Sequence, residues 1–335
     1  MIRAVLAAIA IVAGPLNPAS AQERVTVGLV RLASNGPIFL AATRGYFKDE
    51  GLDIELRAYP SGRPVAQALA GGSIDFGIAP FDAATFALAG QGAIRAIAAQ
   101  ARELRGFEGN EVIASNAAYE RGLRAYADLA NATVAVTQLG SSFHYQLGQI
   151  ARSRGFSLDG MILKPLQSLD AVARAVAEGR VDAAILPAPD ARDLLTASQA
   201  KLIGWYSDLD EQQLGALFTT PRMIATRRAS VEKFVRAYRR GVADYADALL
   251  RRDRFGKRVA DAKANAAAAI IAHYVYPGSS DGAAMAEVAA YFIDPRARID
   301  INDIARQIGW YKGQGLVGNG VDVRQVIDLS FTAGP

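Results

Sequence analysis

From residue 24 the chain alternates short apolar runs with amphipathic stretches. RVTVGLVRL (24–32) places Val at 25, 27 and 30 and predicts a strand. NGP (35–37) breaks it. IFLAATRGYF (38–47) has helical spacing and a stop at Gly45. GLDIELRAY (51–59) predicts a second strand. RPVAQALAGG (63–72) predicts a short helix, with Pro64 in its first turn and a glycine pair at its end. SIDFGIAP (73–80) predicts a third strand. This βαβαβ order implies an open, mainly parallel sheet.

The pattern recurs. ATVAVTQLG (132–140), MILKPL (161–166) and RVDAAILP (180–187) predict strands. SSFHYQLGQIARSRG (141–155) and SLDAVARAVAEG (168–179) predict helices, the second capped by Ser168. Asp75 and Asp182, Gly72 and Gly179, and Pro80 and Pro187 are all 107 residues apart. The offset drifts to 104 where Gly51 meets Gly155. Two copies imply two similar α/β lobes, not a solenoid. The twin acids are read as structural, bonding backbone at the turn into each sheet.

Two stretches can cross between lobes: NEVIASNAA (110–118) and GALFTTPRMIATRRAS (215–230). Two crossings imply a hinged pair with a cleft. The expected division is 22–112 with 222–335 as lobe 1, and 113–221 as lobe 2. After Ser230 the chain reads as helices that close onto lobe 1. The first places Val231, Phe234, Val235, Tyr238, Val242 and Tyr245 on one face.

Composition changes the picture at the start of the chain. Residues 1–21 have one base, Arg3, an apolar run from Ala4 to Ala13, and ASA at 19–21. That is the pattern of a cleavable secretory signal. Cleavage after Ala21 and a periplasmic product without a lipid anchor are expected. The net charge of +4, with both signs interspersed, gives no case for nucleic-acid binding. The 335-residue chain has no cysteine, which excludes disulfides, thiolate metal sites and cysteine nucleophiles. Its two histidines make no metal signature, and no cofactor is expected.

Several stretches together resemble one family. They are GPIFLAATRGYFKDEGLDIEL (36–56), ALAGGSIDFGIAP (68–80), YADLANATVAVTQLGSS (126–142), AEGRVDAAILPAPDA (177–191) and FVRAYRRGVADYADAL (234–249). The chain is similar to substrate-binding proteins of ABC importers, in the nitrate, sulfonate and thiamine-precursor (SsuA-like) branch of type II periplasmic binding proteins. The resemblance implies an α/β, two-lobed fold with a hinged cleft. It implies a monomer that delivers a small solute to an inner-membrane permease and its ATPase. The chain itself has no Gly-Lys-Ser/Thr phosphate loop.

In open α/β sheets ligands bind beyond the carboxyl ends of the strands. That places Ser34 and Asn35, Phe81 and Asp82, Gly140 to His144, and Pro187 at the cleft. Ser141 and Ser142 open a helix, whose N-terminus suits an anionic oxygen. One of them can equally serve as a simple cap. Phe81, Phe143 and Tyr206 are candidates for an apolar wall, and Trp205 and Phe39 are weaker ones. Arg31 and Arg222 can pair with an anion, and His144 can hydrogen-bond a ligand. Asp82 and Asp190 form no evident acid–base centre. A small organic anion, a carboxylate or sulfonate with or without an aromatic ring, is therefore expected, and no catalytic residue is assigned. The alternatives are a neutral pyrimidine-type ligand, an enzyme on the same fold, and a sensory module that presents its ligand to a membrane kinase.

Overall fold

The computed structural model describes residues 22–331; the expected signal, 1–21, lies outside them. The first lobe opens with β1 (Glu23–Leu29), α1 (Gly36–Thr43), α2 (Tyr46–Asp49), β2 (Leu52–Ala58), α3 (Gly62–Ala70), β3 (Phe76–Pro80), α4 (Ala83–Gly90) and β4 (Arg95–Ala99). A two-residue strand, β5 (Arg102–Glu103), follows. The second lobe holds β6 (Asn110–Ser115), α5 (Asn116–Glu120), β7 (Thr133–Val136), α6 (Ser142–Arg154), β8 (Ile162–Pro165), α7 (Leu169–Ala177), β9 (Ala183–Pro187), α8 (Ala188–Thr196) and β10 (Ala200–Trp205). The chain returns through β11 (Gln212–Gln213) and β12 (Gly215–Thr219). Helices α9 (Pro221–Thr226), α10 (Arg228–Leu249), α11 (Ala262–Val275), α12 (Gly282–Val288), α13 (Ile301–Gly313) and α14 (Val323–Val326) complete it. No helix among the described residues is long and apolar enough to cross a membrane.

The two five-stranded sheets have equivalent orders, β2-β1-β3-β12-β4 and β8-β7-β9-β6-β10. In each, the first three strands are parallel and the fourth inserts antiparallel: β12, where the chain returns to the first lobe, and β6, where it first enters the second. The 107-residue offset governs the pairing. Val27 faces Phe76, and Val134 faces Ala183. Thr26 faces Glu55, and Thr133 faces Ile162, so the sheets do not follow the 104-residue drift. The twin acids bond alike. Asp75 Oδ2 accepts from Thr26 N, and Asp182 Oδ2 accepts from Thr133 N, each at 2.8 Å. Each carboxylate thus satisfies a strand N–H on the neighbouring strand.

The sheets divide the chain slightly differently from the sequence reading. Asn110–Val112 already belong to the second sheet, and Gly215–Thr219 to the first. The crossings lie between those strands, where β5 and β11 pair antiparallel. An inserted strand and a crossing segment are both short apolar runs, so their pattern does not separate them. Gly45, at φ +77°, splits the helix expected over 38–47 into α1 and α2.

All six face residues predicted for α10 are buried. Phe234 stacks on Phe76 at 3.8 Å and meets Phe47 at 4.8 Å. Helix α13 does more than close onto lobe 1. Trp310 meets His144 and Tyr145 of α6 edge-on at 5.3 Å, so α13 straps both lobes beside the cleft.

Candidate ligand-binding site

A cavity of about 100 Å³ lies between the two sheets. Its walls come from the segments beyond β1, β2 and β3 in one lobe and β7, β8 and β9 in the other. In each case a strand ends and a helix begins, so the starts of α1, α3, α4, α6, α7 and α8 surround it. Their partial positive ends favour negative charge.

The cavity keeps the lobe symmetry. Val30 and Thr137, Ser34 and Ser141, Asn35 and Ser142, Gly62 and Leu169, and Pro80 and Pro187 all line it, each pair 107 residues apart. Ser141 caps α6 by accepting from His144 N at 3.3 Å. Among the described residues the Ser34 and Ser142 hydroxyls make no hydrogen bond, leaving both available to a ligand.

No lining side chain is cationic among the described residues; the one carboxylate is Asp82. It caps α4, accepting from Thr85 N at 2.8 Å. Burial pushes its pKa up to about 6, against the hydrogen bonds from Thr85 and the nearby charge of Arg63. The amide side chains are oriented from behind. Gln100 Nε2 donates to Ser34 O at 3.0 Å and Asn35 Oδ1 at 3.1 Å. Tyr291 Oη donates to Asn110 Oδ1 at 2.8 Å. Beneath Asn110, buried Glu103 accepts from Asn110 N at 2.9 Å, and its pKa is pushed up to about 8 by desolvation.

Residues 138–141 tie the second lobe to the first. Gln138 Nε2 donates to Ser61 Oγ at 2.8 Å, and Arg63 Nη2 donates to Leu139 O at 3.1 Å. Ala83 N donates to Gly140 O at 2.9 Å, and Tyr311 Oη to Ser141 O at 3.0 Å. Gly140 sits at φ +81°. A Cβ there would stand 2.8 Å from Ala83 Cβ, so the contact needs glycine twice over.

The NMT1/THI5-like family model matches residues 33–248. The chain belongs to that family. A comparison with curated protein sequences returns no match. Among solved structures, the ligand-binding component of an ABC-type import system from Staphylococcus aureus, with zinc bound, is similar at TM-score 0.72 and 14% identity. That match covers 93% of this chain and 98% of the other. The alkanesulfonate-binding protein SsuA from Xanthomonas axonopodis pv. citri, bound to MOPS, gives TM-score 0.71 and 20% identity over 92% and 99% of the two chains. The desulfurization enzyme DSZB gives 0.62 and 16% over 92% and 97%. These likenesses establish the periplasmic-binding-protein fold for this family member, and they show that an enzyme can share it. Among its described residues no group of three or more His, Asp or Glu could hold a metal.

Of the residues read from the sequence, Ser34, Asn35, Asp82, Ser141, Ser142, Phe143 and Pro187 line the cavity. Four do not. Phe81 turns inward, stacked on Phe86 at 5.6 Å and edge-on to Phe218 at 5.5 Å. Tyr206 is fully buried in the second lobe's core. His144 accepts from Gly140 N at 3.0 Å through Nδ1, and burial lowers its pKa. Gly140 holds the lobes together. The arginines lie elsewhere. Arg31 borders a separate surface hollow with Phe39 and His273, and Arg222 is exposed on α9. The sequence reading did not single out Ser61, two residues beyond GLDIELRAY, or Thr137 and Gln138, which lie inside ATVAVTQLG. It also missed Gln100, Asn110 and Tyr291, which carry no local signal.

Proposed function

We propose that the chain is the periplasmic solute-binding component of an ABC importer, closing two lobes on a small organic anion and passing it to an inner-membrane permease. The observation that carries this reading is the pairing of Ser34 with Ser141 at equivalent helix starts on one cavity. With no cationic lining side chain among the described residues, helix N-termini and hydroxyls are what can hold an anionic oxygen. Membership of the NMT1/THI5-like family and the names of the import-system neighbours support the transport role. The signal pattern supports export. A binding role is also supported by how Ser141 and His144 are used. His144 Nδ1 accepts from Gly140 N and the ring packs at right angles to Trp310, so that nitrogen is occupied and does not serve as a base for either serine.

A neutral, pyrimidine-type ligand is the second reading. The amides of Asn35, Gln100, Asn110 and Gln138, with buried Asp82, favour it. A thermal-shift panel separates the two. A ligand at 100 times its Kd adds about 2.7 kcal/mol to stability. Benzoate, ethanesulfonate or benzenesulfonate should raise Tm by several degrees. If only uracil or a related pyrimidine does so, the anion reading fails. Chemical conversion of the bound compound, followed by mass spectrometry, would replace binding with catalysis.

A further inference from the structure

The loop between α10 and α11 carries RRDRFGKR (251–258). Its five bases and one acid sum to 5 − 1 = +4, equal to the net charge of the whole chain. The rest of the sequence is therefore neutral overall, and two of these five bases, Arg254 and Lys257, stand on the exposed tip of the hairpin. An antiparallel bridge between Arg252 and Arg258 closes the base. Asp253 organises the turn. Its Oδ1 accepts from Phe255 N at 2.8 Å and Lys257 N at 2.9 Å. The single acid is thus engaged with backbone inside the loop.

The tip points away from the protein. Phe255 is 78% exposed, the most exposed large apolar side chain among the described residues. Arg254 lies over its ring at 4.6 Å. Neither Arg254 nor Lys257 meets a carboxylate among the described residues. Arg252 flanks them, stacked on Phe107 at 4.3 Å. Exposed Arg105 lies on the adjoining 105–107 segment. Arg251 and Arg258 are already paired, with Asp261 and Glu108.

We propose that this hairpin docks the protein reversibly on an anionic phospholipid surface. Phe255 enters the boundary between headgroups and acyl chains, and Arg254 and Lys257 lie among the phosphates; Arg252 and Arg105, which donate to Gly106 O and Asp208 O, add positive charge behind the tip. One aromatic on a convex tip matches a fluid surface that closes around it. A specific protein interface needs about 800 Å² per partner and a packed apolar centre, which a single projecting ring does not supply. The proposal is independent of what the cleft binds.

The test is sedimentation of the mature chain with phosphatidylcholine vesicles, with and without phosphatidylglycerol. Binding is expected only with the anionic lipid, and it should weaken as salt rises. Each cation near such a surface contributes about fivefold, so Arg254→Ser with Lys257→Ser should lose about 25-fold. Phe255→Ser should weaken binding while leaving its salt dependence unchanged. These side chains touch little, so the melting curve and ligand-induced Tm shift should match wild type. Failure of wild type to bind anionic vesicles overturns the proposal. So does vesicle binding unaffected by the variants. Retention on a polyglutamate matrix that is indifferent to Phe255→Ser would assign the hairpin to an acidic protein partner instead.

Discussion

Gly140→Ala should loosen lobe closure without removing any side chain from the cavity. Two costs can be worked from the structure. The first is backbone strain: φ +81° costs a non-glycine residue about 1–2 kcal/mol. That strain is present whether the lobes are open or closed, so it lowers Tm. The second cost belongs to the closed form. The new Cβ would stand 2.8 Å from Ala83 Cβ, on backbone that cannot swing away as a long side chain would. The loop must retreat, stretching the 2.9 Å bond from Ala83 N to Gly140 O and the neighbouring Arg63 contact at Leu139 O. Two weakened hydrogen bonds amount to about 2 kcal/mol, or roughly 30-fold in affinity. Calorimetric titration with the strongest ligand from the thermal-shift panel measures the loss. Stopped-flow dissociation should place most of it in a faster off-rate. Ala83→Gly added to the variant removes the facing methyl and should restore part of the affinity, a coupling that a double-mutant cycle isolates. A Kd within about twofold of wild type, with only Tm lowered, would refute the reasoning, because the strain would then be shared by both forms.

Asp82→Asn keeps an N-cap acceptor for Thr85 N and removes the charge. Asp82 titrates near 3.8 without the fold and at about 6 within it, so the folded state holds the proton more tightly. Its contribution to stability is present below pH 3.8 and is lost as the pH rises to about 6, by up to about 3 kcal/mol. Thermal melts should show the variant matching wild type near pH 4 and exceeding it at pH 7. Anion affinity should also rise, whereas a loss would favour the neutral ligand. The double variant Ser141→Ala with Ser142→Ala should weaken anion binding at least tenfold by titration while costing about 1 kcal/mol of stability through the lost cap. Unchanged affinity would remove the helix-terminus mechanism. Asp75→Ala and Asp182→Ala should each destabilise by about 1.5–3 kcal/mol in urea unfolding, because each strands a strand N–H. Phe81→Ala should cost about 3–5 kcal/mol as a core cavity, with the ligand-induced Tm shift retained.

The lobe repeat was legible because it rests on local periodicity. Strands with apolar positions at period 2, helices between them, and a shared 107-residue spacing all survive as register in the two sheets. The helix-start serines were legible for the same reason, since a strand end followed by Ser and a helical pattern locates a sheet's carboxyl edge. Phe81 and Tyr206 show the limit. A residue next to a strand end faces either the cleft or the core, and one position of backbone rotation decides which. Phe81 follows Pro80 into the core, between Phe86 and Phe218, while Asp82 beside it reaches the cavity.

By itself the sequence determined the two α/β lobes, the order of their elements and the loops that border the cleft. Each of these follows from contacts between residues near in the chain or from the periodicity of one element. Only the tertiary structure decided which strands insert antiparallel and which side chains complete the cavity. Gln100, Asn110 and Tyr291 come from three separate segments and meet Ser34, Asn35 and Ala188 through hydrogen bonds spanning the fold. Such bonds require the crossings and the segment that carries Tyr291 to be in their native places. No short stretch of sequence carries the geometry that aligns them.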